Sequence, residues 1–192
     1  MKKKRAKSNK FALLALLLFC ENAAEYTVNG WLVTYYKNEQ ILTGTLATYT
    51  VTVQWAFTLA ARLLLAFLLK DRNPFKALAV MGVGMTVMYG VLLKVSTPVP
   101  ALIALALFSF SVAGAYPMGV ASVGEMLSSA SVGILLAFAG VGGILFPWLV
   151  GIIADAAGLR SGMAVNLIPC VGIIVLSLML LFCRKKPEQK QE

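Results

Sequence analysis

The sequence predicts an all-α membrane protein of six transmembrane helices, built as two triplets of opposite orientation, a 3+3 inverted repeat. Three observations predict it. Of 192 residues, 59% are hydrophobic and only 13% charged, with a mean hydropathy of +0.83, whereas a soluble domain is about half apolar and about a quarter charged. The apolar residues fall in six continuous runs, each near the roughly 20 residues that cross a bilayer as a helix. Finally, a shift of 85 residues lays the first run (11–36) near the fourth (96–121) and the third (76–93) near the sixth (161–178). Because three is odd, the triplets insert in opposite senses. Continuous rather than alternating apolar runs exclude a membrane β-barrel.

The predicted helices span 11–36, 43–69, 76–93, 99–121, 129–153 and 163–183. They leave a basic cytoplasmic N-terminus (1–10), one transmembrane domain (11–183) and a cytoplasmic tail (184–192). Helix 1 differs from the others. Within its apolar run stand Glu21, Asn22, Glu25 and Asn29. Asn22, Glu25 and Asn29 share one helical stripe. An acid in the hydrocarbon core costs roughly 2.5–3.5 kcal/mol on insertion scales, so it faces a protein interior or a water-filled path. Helix 2 carries Gln54 in mid-span and Arg62 nearer its end. The second helix of each triplet ends alike, in a small residue, a polar turn and a basic residue: Ala66 to Asn73 with Lys76, and Gly151 to Gly158 with Arg160. Helices 4 and 5 are rich in glycine (Gly114, Gly119, Gly124, Gly133, Gly140, Gly142, Gly143 and Gly151), which permits close helix approach. Pro117 and Pro147 stand in mid-helix, where each removes a backbone hydrogen bond and allows a kink.

Charge sets the orientation. Six spans put both termini on one side. That side has 13 of the Lys and Arg residues: Lys2, Lys3, Lys4, Arg5, Lys7 and Lys10 before helix 1; Lys70, Arg72 and Lys76 after helix 2; Arg184, Lys185, Lys186 and Lys190 at the end. The opposite side has three, Lys37, Lys94 and Arg160. The positive-inside rule places both termini in the cytoplasm. The basic start is thus a topology signal rather than a nucleic-acid patch. It also has the make-up of a secretory signal with Phe11–Cys20 as the apolar region. Cleavage near Ala23–Ala24, however, would leave an odd number of spans, so the segment is read as helix 1. Cys20 lacks the small preceding residue of a lipoprotein site.

Several chemistries are excluded. The chain has no His, and Cys20, Cys170 and Cys183 match no metal-site spacing. Without His it lacks the usual general base. Neither a phosphate-cradling Gly-x4-Gly-Lys-Ser/Thr loop nor a Gly-x-Ser-x-Gly elbow occurs. The chain is read as no enzyme, with no cofactor and no metal, in a lipid bilayer.

The segment Glu25-Tyr-Thr-Val-Asn-Gly-Trp31-Leu-Val-Thr-Tyr35 resembles the seventh helix of fucose-permease-like members of the major facilitator superfamily. Trp55-Ala-Phe-Thr-Leu-Ala-Ala61-Arg62-Leu is similar to their eighth, with Ala61 where the family usually has Gly. Gly142 to Arg160, through Pro147 and Asp155, resembles the end of the eleventh and the turn after it. The resemblance covers roughly 11–183. It implies a twelve-helix fold of which this chain supplies the C-terminal six, in the inner (plasma) membrane. It also implies transport of a small polar, sugar-like solute, coupled to protons, between two halves. A companion six-helix half, or a second copy, is then required. Two alternatives stay open: a non-transporting truncated fragment or membrane interaction module, and half of a multidrug exporter of the same superfamily. The Asn-rich stripe favours a polyol over an apolar drug.

Under that reading Asn22, Glu25, Asn29, Gln54 and Tyr116 are candidates for the path. Glu25 can bind a hydroxyl or carry a proton; its alternative is a hydrogen bond to a neighbouring helix. Gln54 and Tyr116 have the same alternative. Glu21, Arg62, Pro117, Pro147, Asp155 and Arg160 are read as structural or gating, with Glu21 pairing with Arg62 and with Asp155 and Arg160 stabilising a turn. Trp31 and Tyr35 are read as interface anchors rather than sugar platforms. Asn166 is read as structural, because the twelfth family helix is peripheral.

Overall fold

A computed structural model describes residues 2–68, 73–124 and 129–185, with side chains for 9–68, 73–120, 122 and 131–183. Lys70, Asp71, Arg72, Lys186 and Lys190 lie outside the described residues, as do the side chains of Lys2, Lys3, Lys4, Arg5, Lys7, Arg184 and Lys185 and the surroundings of Gly124. The one-sided basic flanks therefore remain a property of the sequence.

Among the described residues six helical spans are long and apolar enough to cross a membrane, and the protein is a multi-pass membrane protein. They run Asn9–Asn38, Gly44–Leu68, Pro74–Leu92, Pro98–Val120, Ser131–Ala157 and Leu159–Cys183. The first, α1 (Lys2–Asn38), continues unbroken through the basic N-terminal stretch. After α1 the chain turns at Gln40 and Gly44, both with positive φ, into α2 (Gly44–Leu68). Helix α3 (Pro74–Leu92) starts where Asn73 caps it: the Asn73 side-chain oxygen accepts from Phe75 N at 3.1 Å and Pro74 occupies the first helical position, where its missing N–H is no loss. Helix α6 (Ser129–Ala157) runs through Pro147.

Two spans are broken where hydropathy alone predicts single helices. The fourth is α4 (Pro98–Ala113) and α5 (Ala115–Gly124), separated at Gly114. Pro117 explains the break, since it has no N–H to give Ala113 O, its i−4 acceptor. Pro117 is thus a helix restart, not a mid-helix kink. The sixth span begins at Leu159 rather than 163, after Gly158 at φ +85. It comprises α7 (Leu159–Ala164) and α8 (Leu167–Lys185). Here Pro169 cannot donate to Val165 O, which accepts from Ile168 N instead.

Helix α1 is the most buried span and packs most extensively on α6, then on α8, with smaller contacts to α2 and α5. Helix α3 joins α8 to α4, and α4 carries α2. Close approach of α1 and α6 depends on Gly142, where an added Cβ would collide with Phe19 O. Gly143 meets Tyr26 and Gly151 meets Trp31 on the same seam. Gly133 and Gly140 face open space, so the glycine richness is only partly a packing feature.

Buried tyrosines fasten the helices, each giving its hydroxyl to a carbonyl on another element, as a hydroxyl in an apolar core must. Tyr36 donates to Ala101 O at 3.1 Å, Tyr35 to Leu93 O at 3.1 Å and Tyr89 to Met163 O at 2.8 Å. Tyr35 and Tyr36 are 1% and 0% exposed.

Candidate functional site

The polar residues of α1 are buried within the bundle. Glu21 is 0% and Glu25 5% exposed. One turn separates them, and their carboxyl groups interact directly. Neither carboxyl oxygen of Glu21 has a hydrogen-bond partner among the other side chains and backbone groups around it. Asn22 is buried beside them, and Asn29, a turn beyond Glu25, holds an enclosed Oδ1 without a partner. From Glu21 to Asn29 the stripe rises about 12 Å along the helix.

Two other elements meet this stripe. Arg62 on α2 lies within electrostatic reach of both acids. Tyr116, in the first turn of α5, is within reach of both as well. The structure therefore brings together Glu21, Glu25, Arg62 and Tyr116. Gln54 sits two turns before Arg62 on the buried side of α2, with Thr50, Thr58 and Ala61, and its Oε1 has no partner.

Glu21 and Arg62, expected to pair, interact through their charges without a hydrogen bond. Arg62 Nε donates instead to Ala113 O at 3.2 Å. That carbonyl is the one Pro117 leaves without its helical donor, and the α4–α5 break turns it towards α2. Arg62 thereby satisfies the break while remaining in reach of the acids. Arg62 is itself exposed in the six-helix unit, and an exposed guanidinium within a span is incompatible with a lipid-facing surface.

The remaining predicted residues fall elsewhere. Pro147 contributes its carbonyl, which accepts from Trp31 Nε1 at 2.8 Å. Trp31 and Tyr35 are thus inter-helix fasteners and not headgroup anchors, because each polar tip is used inside the bundle. Asp155 is exposed at the end of α6. Arg160 does not stabilise its own turn; its Nη2 donates to Leu93 O at 2.9 Å. That ties α7 to the C-terminal end of α3, where helix carbonyls favour a cation. Asn166, between α7 and α8, donates Nδ2 to Ala24 O at 3.2 Å, a bridge to α1. Sequence reasoning missed Thr27 and Ser177, both fully buried with unpartnered hydroxyls. Neither residue type is unusual enough in an apolar helix to attract notice. Among the described residues no group of three or more Cys, Asp or Glu is placed to hold a metal ion.

Comparison with known proteins agrees with this architecture. Residues 14–192 match the sequence profile of the Major Facilitator Superfamily. The fold is similar to that of the Escherichia coli fucose:proton symporter FucP, with TM-score 0.78 and 19% identity over 89% of this chain and 42% of that one. A second crystal structure of FucP, a major facilitator transporter in the outward conformation, gives TM-score 0.77 and 20% identity over the same shares of the two chains. The chain thus spans about two fifths of these structures. No curated protein sequence matches it. The chain belongs to the major facilitator superfamily, of whose fold it forms a six-helix half.

Proposed function

We propose that this chain is the C-terminal half of a transporter that moves a small, sugar-like solute together with protons, along a path bordered by α1. The observation that carries the reading is the pair Glu21–Glu25. Two acids are buried side by side in the most enclosed span, the carboxyl oxygens of one have no partner besides the other acid, and an arginine on a second helix stands within reach. A purely structural acid at that depth would be hydrogen-bonded, because leaving it unsatisfied costs free energy with no return. Asn22, Asn29, Gln54 and Tyr116 supply donors and acceptors of the kind a polyol uses. In this reading Glu25 exchanges the proton and the amides hold hydroxyl groups. Arg62 keeps the α4–α5 joint in place beside them. Both termini lie in the cytoplasm, as the basic flanks favour, and the membrane is the inner (plasma) membrane that the family resemblance implies.

The companion half is part of the proposal, since the two-fifths coverage of FucP leaves the second wall of a path to be supplied. The test begins with the frame upstream of Met1, sought for six further helices. Vesicles containing this chain, with that half or as a self-paired assembly, are then given fucose and related sugars while external pH is followed. Sugar-dependent proton uptake that is lost in Glu25→Gln supports the symporter. Uptake unaltered by Glu25→Gln removes the role assigned to Glu25. The absence of uptake in either assembly leaves the interaction module as the reading.

A further inference from the structure

Away from the acidic stripe, α2, α3 and α4 enclose a groove of about 400 Å³, within the roughly 300–1,000 Å³ range of small-molecule sites. Leu65 and Met81, which belong to a small buried cluster with Ala61 and Ala113, are among its lining residues. Leu68, Val80 and Phe110 line it as well and are exposed at 57%, 73% and 37%. The groove is therefore open at the surface of the six-helix unit.

Its polarity is graded along α3. Asn73 and Lys76 lie at the start of that helix, and Val80 and Met81 follow one to two turns deeper. From Asn73 to Met81 the helix rises about 12 Å. A cation thus stands at the end of the span, where lipid headgroups lie, while the remainder of the groove is apolar at acyl-chain depth. Among the described residues Lys76 is the one charged residue lining the groove, and no described carboxylate lines it.

We infer that this groove is a binding site for one phospholipid with an anionic headgroup, its phosphate against Lys76 and one acyl chain along Val80, Met81 and Phe110. Charge complementarity selects the headgroup, since basic residues at the cytoplasmic ends of membrane helices attract anionic lipids. The apolar depth selects an acyl chain over a free phosphate or a soluble anion. The solute path does not enter into this site, so the inference stands apart from the transport reading.

The test uses the full chain purified in a neutral detergent. Native mass spectrometry follows retention of dioleoylphosphatidylglycerol against dioleoylphosphatidylcholine. One phosphatidylglycerol is expected to be retained in preference. Lys76→Gln is expected to reduce that preference about fivefold, the equivalent of one surface cation, while Lys76→Arg keeps it. Val80→Trp, at an exposed position, blocks the apolar part and lowers retention of phosphatidylglycerol. Equal retention of the two lipids by the unaltered chain overturns the proposal. So does phosphatidylglycerol retention that Lys76→Gln and Val80→Trp leave unchanged, which would place binding on the basic flanks. Loss in Lys76→Gln alone, with glycerol phosphate competing as well as the lipid, would reduce the site to a headgroup contact and also overturn it.

Discussion

Tyr35 and Arg160 donate to the same acceptor, Leu93 O, from distances of 3.1 and 2.9 Å. One comes from the end of α1 and the other from the start of α7, and they meet at the C-terminal cap of α3. A terminal helix carbonyl has no partner within its own helix, and here two foreign donors serve it. Either donor alone satisfies the group. Tyr35→Phe or Arg160→Met should each lower stability by about 0.5–1.5 kcal/mol, and the double variant should cost more than the sum. Thermal unfolding in detergent measures this; strict additivity would mean that the two donors act independently.

Arg62 and Pro117 form a second such relationship through Ala113 O. If Arg62 serves the acceptor that Pro117 frees, Pro117→Ala should restore a helical donor and make Arg62 dispensable. Arg62→Leu alone is expected to destabilise by about 1–3 kcal/mol, because it leaves a carbonyl unpaired in an apolar setting. In the Pro117→Ala background the same change should cost appreciably less. An identical cost in both backgrounds would show that Arg62 acts on something other than the break.

Glu21 presents the opposite case, a group whose removal should help folding. Both its oxygens are buried, with no hydrogen-bond partner besides the neighbouring acid Glu25. Glu21→Met, of similar length and apolar, is expected to raise the unfolding midpoint by several degrees, in keeping with a gain of about 1–3 kcal/mol. A lowered midpoint would show that Glu21 has a structural partner in the membrane-embedded protein.

The glycine seam separates by position. Gly142→Ala sets a methyl against Phe19 O, a backbone atom that cannot rotate away, and should destabilise by about 1–3 kcal/mol. Gly140→Ala, on the same helix but facing open space, should be neutral or slightly stabilising. Stabilities of the two variants that fall together would remove the close α1–α6 contact as the reason for Gly142.

What the sequence made legible was governed by the bilayer. Six spans and the anomalous α1 could be read because hydrocarbon imposes long apolar runs and makes an internal Glu conspicuous. Helix breaks were not legible, because a hydropathy window is blind to a missing N–H: Pro117 read as a kink and Pro169 passed unnoticed. Nor was the use made of side-chain tips. Trp31, Tyr35 and Arg160 have the composition of a membrane interface, and only the packing of distant helices turns them onto Pro147 and Leu93 carbonyls. The second use of Arg62 was hidden for a related reason, since the acceptor at Ala113 exists only once the fourth span is broken. The candidate path residues Asn22, Glu25, Asn29, Gln54 and Tyr116 were found by their polarity, a signal that locates them without assigning them.

The enclosure of α1 also bears on how the chain is made. Helix α1 is synthesised before α6, and about 100 residues separate the end of one from the heart of the other. At roughly 5–20 residues per second of synthesis, the acids of α1 wait on the order of 5–20 s for the surface that encloses them. During that interval a helix carrying Glu21, Asn22 and Glu25 is poorly soluble in lipid. It must be held by the insertion machinery or by α2 alone, and Arg62, arriving with α2, is the first counter-charge it can meet. The bundle therefore closes from its centre late, with its most polar helix the last to find its permanent neighbours.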